Sequence, residues 1–161
     1  MFQFKQGNIL NATEDIICNQ VDNDIMENTE LSKQIKLKYP EVFEGYKLLL
    51  NEFLFQLGHC QLILCNNGKT IANLFNKIDV NRDYMISNIK FLKNMIGKDW
   101  EFYFLKRSLE NLLLLAKQWN LSIAIPYGIG CSDKEELEWE VVYSIIENVF
   151  NEYDVSIYKL D

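Results

Sequence analysis

The chain has 161 residues, 48% of them hydrophobic and 13% aromatic, with only seven glycines, two prolines and a formal charge of −7. That length and composition suit one domain with a full core, here residues 1–161, and exclude a disordered chain or a repeat array. The acidic balance excludes a sequence-independent grip on a nucleic-acid backbone, which needs surplus Lys and Arg; a small nucleotide held by backbone N–H groups is still allowed.

Phe2 and Phe4 alternate with polar residues and predict a first strand, closed by the turn pair Gly7-Asn8. Asp15 to Val21 predicts a second strand, apolar enough at its centre to lie inside a sheet. Thr29 is a candidate N-cap for a helix from Glu30 to Lys36, with Leu31 and Ile35 on one face. Pro40 breaks that helix, and Glu41 to Phe53 carries a new helical stripe through Val42, Phe43, Tyr46 and Leu49/Leu50. Gln61–Cys65 and Thr70–Phe75 flank Asn66-Asn67-Gly68-Lys69, a strong hairpin signal.

Tyr84 to Met95 fits an amphipathic helix through Ile86, Ile89, Leu92 and Met95/Ile96. A long helix follows over Phe102–Trp119, then a strand over Leu121–Pro126. Tyr127 to Cys131 forms a glycine-containing loop, and the polar segment Ser132 to Glu138 leads into a helix from Trp139 to Phe150. The strand Val155–Leu160 closes the chain. Alternating strands and helices with one hairpin predict an α/β fold, a mixed sheet with helices on both faces. Ligands of such sheets bind beyond the carboxyl ends of the strands, here the loops after Val21 and Pro126, where helix N-termini favour an anion.

Cys18, Cys60, Cys65, Cys131 and the single His59 lack zinc-site spacing, so the cysteines are read as small buried hydrophobes, with no metal and no cofactor. The opening residues carry no signal-like apolar run and no stretch is long enough to span a bilayer, so a cytoplasmic location is expected.

The order of landmarks is more specific. Gly7-Asn8-Ile9-Leu10, Glu14-Asp15-Ile16-Ile17-Cys18, Lys33-Gln34-Ile35-Lys36, Ile71-Ala72-Asn73-Leu74-Phe75, Ser122 to Cys131 and Trp139-Glu140-Val141-Val142-Tyr143 together resemble a macro domain. The branch it is most similar to comprises bacterial and phage macro domains related to terminal ADP-ribose protein glycohydrolase. The resemblance covers nearly the whole chain except an insertion at about 83–99. It implies a three-layer α/β/α fold and an ADP-ribose-like ligand; the short apolar stretches leave no membrane partner expected. In this resemblance Asp15 accepts from the adenine amino group, the Ile16 N–H meets the ring and Tyr158 contacts its face. Gln20, Asp22, Met26, Ser32, Gly128, Ile129, Gly130 and Cys131 fall at further ligand-binding positions. Lys77 falls at the position of a catalytic amine and Glu135 at that of a catalytic acid.

The chain also departs from the pattern. Ile25, Asn28 and Glu30 stand where relatives carry glycines that bring backbone N–H groups close to a diphosphate, and Glu27 and Glu30 add negative charge there. Ser132 to Glu138 replaces the glycines that usually follow Cys131. Three readings stand side by side: a module that binds ADP-ribose or a cyclic or modified relative without efficient turnover, a hydrolase using Lys77 and Glu135, or a ligand-free domain whose 83–99 insertion meets a protein partner. The lost glycines favour the first or third over the second, and the retained Asp15, Gly128 and Gly130 favour the first over the third.

Overall fold

The computed structural model describes residues 2–22, 26, 29–50, 56–77, 94, 100–131 and 136–160. Six strands form one sheet: β1 (Phe2–Gln6), β2 (Ile16–Val21), β3 (Cys60–Leu64), β4 (Thr70–Phe75), β5 (Ile123–Pro126) and β6 (Val155–Lys159). Their order is β1-β6-β5-β2-β4-β3. All neighbours are parallel except β3, which returns beside β4 through the expected Asn-Gly hairpin. Five strands therefore present their carboxyl ends at the same edge.

Helices α1 (Glu30–Lys38) and α2 (Pro40–Leu50) belong to one side of the sheet, and α3 (Trp100–Trp119) and α4 (Glu136–Phe150) to the other. Strand β2 is buried throughout and divides its side chains between two cores. Ile17 and Val21 join the core of α1 and α2, with Ile35, Val42, Tyr46 and Phe75. Ile16 and Cys18 join the opposite core, with Leu105, Leu109, Leu112, Val142 and Ile146. Full burial of each such aliphatic side chain contributes about 1.5–3 kcal/mol, which fixes the register of β2 because a one-residue slip would exchange the faces.

The element boundaries follow local chemistry. Thr29 caps α1, its Oγ1 accepting from the Ser32 N–H at 3.0 Å. Pro40 ends α1 and opens α2, where its missing N–H costs nothing. β5 starts two residues later than the apolar run suggests, because Asn120 adopts φ 54° and the Leu121 N–H closes α3 by donating to the Ala116 carbonyl. α4 starts at Glu136, three residues before Trp139, since acidic residues are good first-turn residues as well as loop residues. The helix expected over Tyr84–Met95 lies outside the described residues apart from Asn94, which is helical.

A chain of polar groups runs through the α1/α2 side. Ser32 Oγ donates to Asn19 Oδ1 at 2.9 Å, Asn19 Nδ2 to Asn73 Oδ1 at 3.0 Å, and Asn73 Nδ2 to Gln61 Oε1 at 3.1 Å. Gln61 Nε2 then donates to the Gly45 carbonyl at 3.0 Å. Each link satisfies a group that would otherwise cost about 1–3 kcal/mol to bury.

Candidate functional site

The loops after β1, β2, β4 and β5 meet at the carboxyl edge, and one side chain ties three of these strand ends together. Gln20, near the end of β2, accepts at Oε1 from the Gly130 N–H at 2.7 Å and from Asn76 Nδ2 at 3.3 Å. The Gly130 N–H can only donate, so the Gln20 atom is the oxygen and the Asn76 atom facing it is the nitrogen. Asn76 Oδ1 is thereby turned away and is a buried acceptor without a partner among the described residues.

The loop after β5 is folded on itself. Tyr127 N–H donates to the Tyr158 carbonyl at 2.7 Å, Ile129 N–H to Pro126 at 3.2 Å and Cys131 N–H to Gly128 at 3.1 Å. With Gly130 spent on Gln20, the Gly128 N–H is left as the amide of residues 127–131 with no bond among the described residues. Gly128 (φ 85°) has open space around it, whereas a Cβ on Gly130 (φ 78°) would meet Leu105 Cδ2 at 2.6 Å. Gly130 thus serves close packing on α3, and the N–H groups of Ile129, Gly130 and Cys131 are all bonded within the fold. Burial and the Glu138 carboxylate hold the Cys131 thiol above its ordinary pKa, against the opposing pull of the Lys77 ammonium. Lys77 follows β4 by two residues, and Glu135 lies outside the described residues.

The first loop is also anchored inward. The Asp22 carbonyl accepts from Tyr46 Oη. Met26 adopts φ 59° with its side chain wholly buried in the α1/α2 core. Holding a non-glycine residue there costs about 1–2 kcal/mol, which burial of the thioether side chain offsets. Met26 is thus a core anchor, not a side chain offered to a ligand. Ser32 is likewise fully buried, and its hydroxyl is shared between Asn19 Oδ1 and the Gln20 carbonyl. Ile25, Glu27 and Asn28 lie outside the described residues, and Glu30 opens α1 as an exposed residue.

Asp15 and Ile16 are at the other end of the molecule. Asp15 precedes β2, at the amino edge, where its carboxylate accepts from Ser122 N–H at 2.9 Å and Ser122 Oγ at 3.1 Å. The Ile16 N–H donates to the Ser122 carbonyl at 3.0 Å. Both groups expected at the adenine are consumed by a clamp between the starts of β2 and β5, and neither reaches the carboxyl edge.

Tyr158, in contrast, lines a cavity of about 150 Å³ there. Gly7, Asn8 and Ile9 form one wall, Glu30, Leu31 and Gln34 another, and Pro126, Tyr127 and Leu160 complete it. The Tyr158 ring is held by its hydroxyl, which donates to the Glu14 carboxylate at 2.5 Å, while Lys5 Nζ pairs with the same carboxylate at 2.8 Å. Burial raises the Glu14 pKa, but hydrogen bonds from Lys5 and Tyr158 outweigh it and hold the carboxyl below its usual range. A larger hollow of about 430 Å³ lies between α1 and α2, lined by Lys33, Lys36, Leu37, Pro40, Phe43 and Glu44. Its aromatic floor is already covered, with Lys36 Nζ 4.2 Å from the Phe43 ring centre.

No protein-family model and no curated protein sequence matches the chain. Solved structures do. The macrodomain of Mycobacterium tuberculosis DarG superposes with a TM-score of 0.72 at 20% identity, over 98% of this chain and 97% of that one. The macrodomain of Thermus aquaticus DarG gives 0.71 at 17% identity, over 100% and 98%. This chain has the macrodomain fold. Thermosipho africanus DarTG, solved in complex with ADP-ribose, gives 0.67 at 16% identity, covering 98% of this chain and 41% of that larger one.

In this macrodomain fold the residues that line the carboxyl-edge cavity and escaped the sequence reading of the site are Gly7, Asn8, Ile9, Leu31, Gln34, Pro126, Tyr127 and Leu160. A usable signal was present for Asn8 and Ile9: the turn pair after β1 necessarily lies at the same edge as the end of β6. Among the described residues no cluster of His, Cys, Asp and Glu could hold a metal ion, and no helix is long and apolar enough to cross a membrane.

Proposed function

We propose that this macrodomain binds an ADP-ribose-type ligand, a nucleoside diphosphate bearing a second ribose, along the carboxyl edge of the sheet and holds it without efficient turnover. The observation that carries this reading is the cavity walled by Asn8, Ile9, Tyr127 and Tyr158, which is continuous through Pro126 and Tyr127 with the loop carrying the unspent Gly128 N–H. The cavity accepts one heteroaromatic ring and is smaller than the roughly 300–1,000 Å³ of a whole drug-sized site, so the rest of the ligand extends over the loops. The complex of Thermosipho africanus DarTG with ADP-ribose supports the ligand class.

Weak retention of plain ADP-ribose follows from the folded-in second loop and from Glu30 at the cavity rim. The reading also takes the protein to be a cytoplasmic one of bacterial or phage type, with the 83–99 insertion as a separate surface for a protein partner. Calorimetry with ADP-ribose, NAD and cyclic ADP-ribose should give saturable binding of at least one ligand, with plain ADP-ribose no tighter than micromolar. Failure of all three to bind overturns the reading.

The charge of Lys77 acting on the Cys131 thiol supports a second reading, hydrolysis of ADP-ribosylated protein or nucleic acid with Lys77 as the amine nucleophile and Glu135 as the acid. Incubation with mono-ADP-ribosylated glutamate substrates and ADP-ribosylated DNA separates the two. Robust release of ADP-ribose, abolished in Lys77→Ala or Glu135→Ala, would establish the enzyme and displace the binding module.

A further inference from the structure

β1 is the last strand on its side of the sheet, and its Phe4 stays 59% exposed. The Phe4 ring lies 5.7 Å from Tyr143 of α4, Tyr143 lies 6.2 Å from Trp139, and Trp139 lies 4.3 Å from Tyr127. Four rings thus run in a row from the outer strand to the carboxyl edge. At the far end Lys159 Nζ stands 4.5 Å from the centre of the Tyr127 ring, so the row already holds one ammonium group on an aromatic face.

Charge sets the character of the nearer end. Glu140 and Glu147 lie about one turn before and one turn after Tyr143 on the same side of α4, and both are exposed. Burial and the Glu147 carboxylate together hold the Tyr143 hydroxyl above its ordinary pKa. Neither glutamate has an ion-pair partner among the described residues. From Glu136 to Tyr158 the sequence has six carboxylates and no lysine or arginine, close to the whole net charge of −7.

β1 also leaves one side of its backbone unpaired by any described strand. An extended chain added there has every second side chain on the α4 side of the sheet, beside Phe4 and Tyr143. A guanidinium or ammonium group suits that position, since it can stack on a ring and pair with a carboxylate at once. A second copy of this chain does not, because two-fold pairing of β1 with β1 gathers both sets of carboxylates at one seam. We infer that the surface formed by Phe4, Tyr143, Glu140 and Glu147 docks an extended Lys/Arg-rich segment of a partner protein along β1. This inference stands apart from the nucleotide reading.

The test uses the full chain and a fluorescent peptide that alternates arginine with threonine, followed by anisotropy, beside the same peptide with glutamate for arginine. The expected result is saturable binding of the arginine peptide alone, weakened about tenfold by Glu140→Gln with Glu147→Gln and by Phe4→Ser, with thermal melts to check that both variants fold. Glu41→Gln with Glu44→Gln removes the same charge on the opposite side of the sheet and should leave binding within about twofold. No binding of the arginine peptide, or equal weakening by the two double variants, overturns the inference. Undiminished binding by a folded Phe4→Ser overturns the role of the rings. Sedimentation showing a dimer that Phe4→Ser dissolves would give the surface to a second copy instead.

Discussion

Gln20 Oε1 receives the Gly130 N–H at 2.7 Å, so the end of β2 holds the loop after β5 through a single side chain. Gln20→Ala strands the buried Gly130 N–H and the Asn76 amide together. We expect a loss of about 1–3 kcal/mol in chemical denaturation and faster hydrogen exchange at Gly130. Unchanged exchange at Gly130 would show that the loop holds itself.

The two glycines of that loop should respond differently to alanine. Both have positive φ, which alone costs a non-glycine residue about 1–2 kcal/mol. At Gly130 the new methyl also collides with Leu105 at 2.6 Å, and overpacking adds about 1–3 kcal/mol. Gly130→Ala should thus be the more damaging substitution, by at least about 1 kcal/mol in urea unfolding. Equal losses would mean that Leu105 yields freely.

Asp15→Ala should leave nucleotide affinity within about twofold, because its carboxylate is bonded to Ser122 at the amino edge. The change should instead lower stability by about 0.5–1.5 kcal/mol, the ordinary net value of an exposed hydrogen-bonded pair. A large rise in Kd with unchanged stability would return Asp15 to the ligand.

Glu14 gives the molecule an acid limb. Its folded pKa is held below the ordinary carboxylate value, so the unfolded chain takes up the proton first as pH falls. The stabilisation is complete above the unfolded pKa and is lost as pH drops through the depressed folded value. Glu14→Gln should therefore destabilise the domain at neutral pH, by about 1–3 kcal/mol through loss of the charge-assisted bonds, and flatten the fall in Tm below about pH 4.5. An unaltered acid limb would assign that limb to other carboxylates.

Much of the fold was legible in the sequence because its signals are local. Thr29 three residues before Ser32, Pro40 after a helical stripe and Asn67-Gly68 between two apolar runs each act within a few residues, and each element formed where they stand. The site was less legible because it depends on which edge a residue reaches. Asp15 and Asn8 are both polar residues beside a strand, yet one precedes β2 and the other follows β1, which in a parallel sheet puts them at opposite edges. Gln20 and Ser32 look alike as polar positions near a loop. Only the packing of α1 on β2 shows that Ser32 is spent inside while Gln20 reaches the second loop. Met26 could not be told from a loop residue, because it is buried in a core built from residues far away in sequence, such as Tyr46 and Phe75.

The relay from Ser32 through Asn19, Asn73 and Gln61 to Gly45 has a consequence for how the domain comes apart. Its members sit on α1, β2, β4, β3 and α2 in turn, and none can leave without exposing or orphaning the next. Thermal opening of this half should consequently be collective: amides of α1 and α2 would exchange at one common free energy with those of β4, instead of fraying helix by helix from the surface.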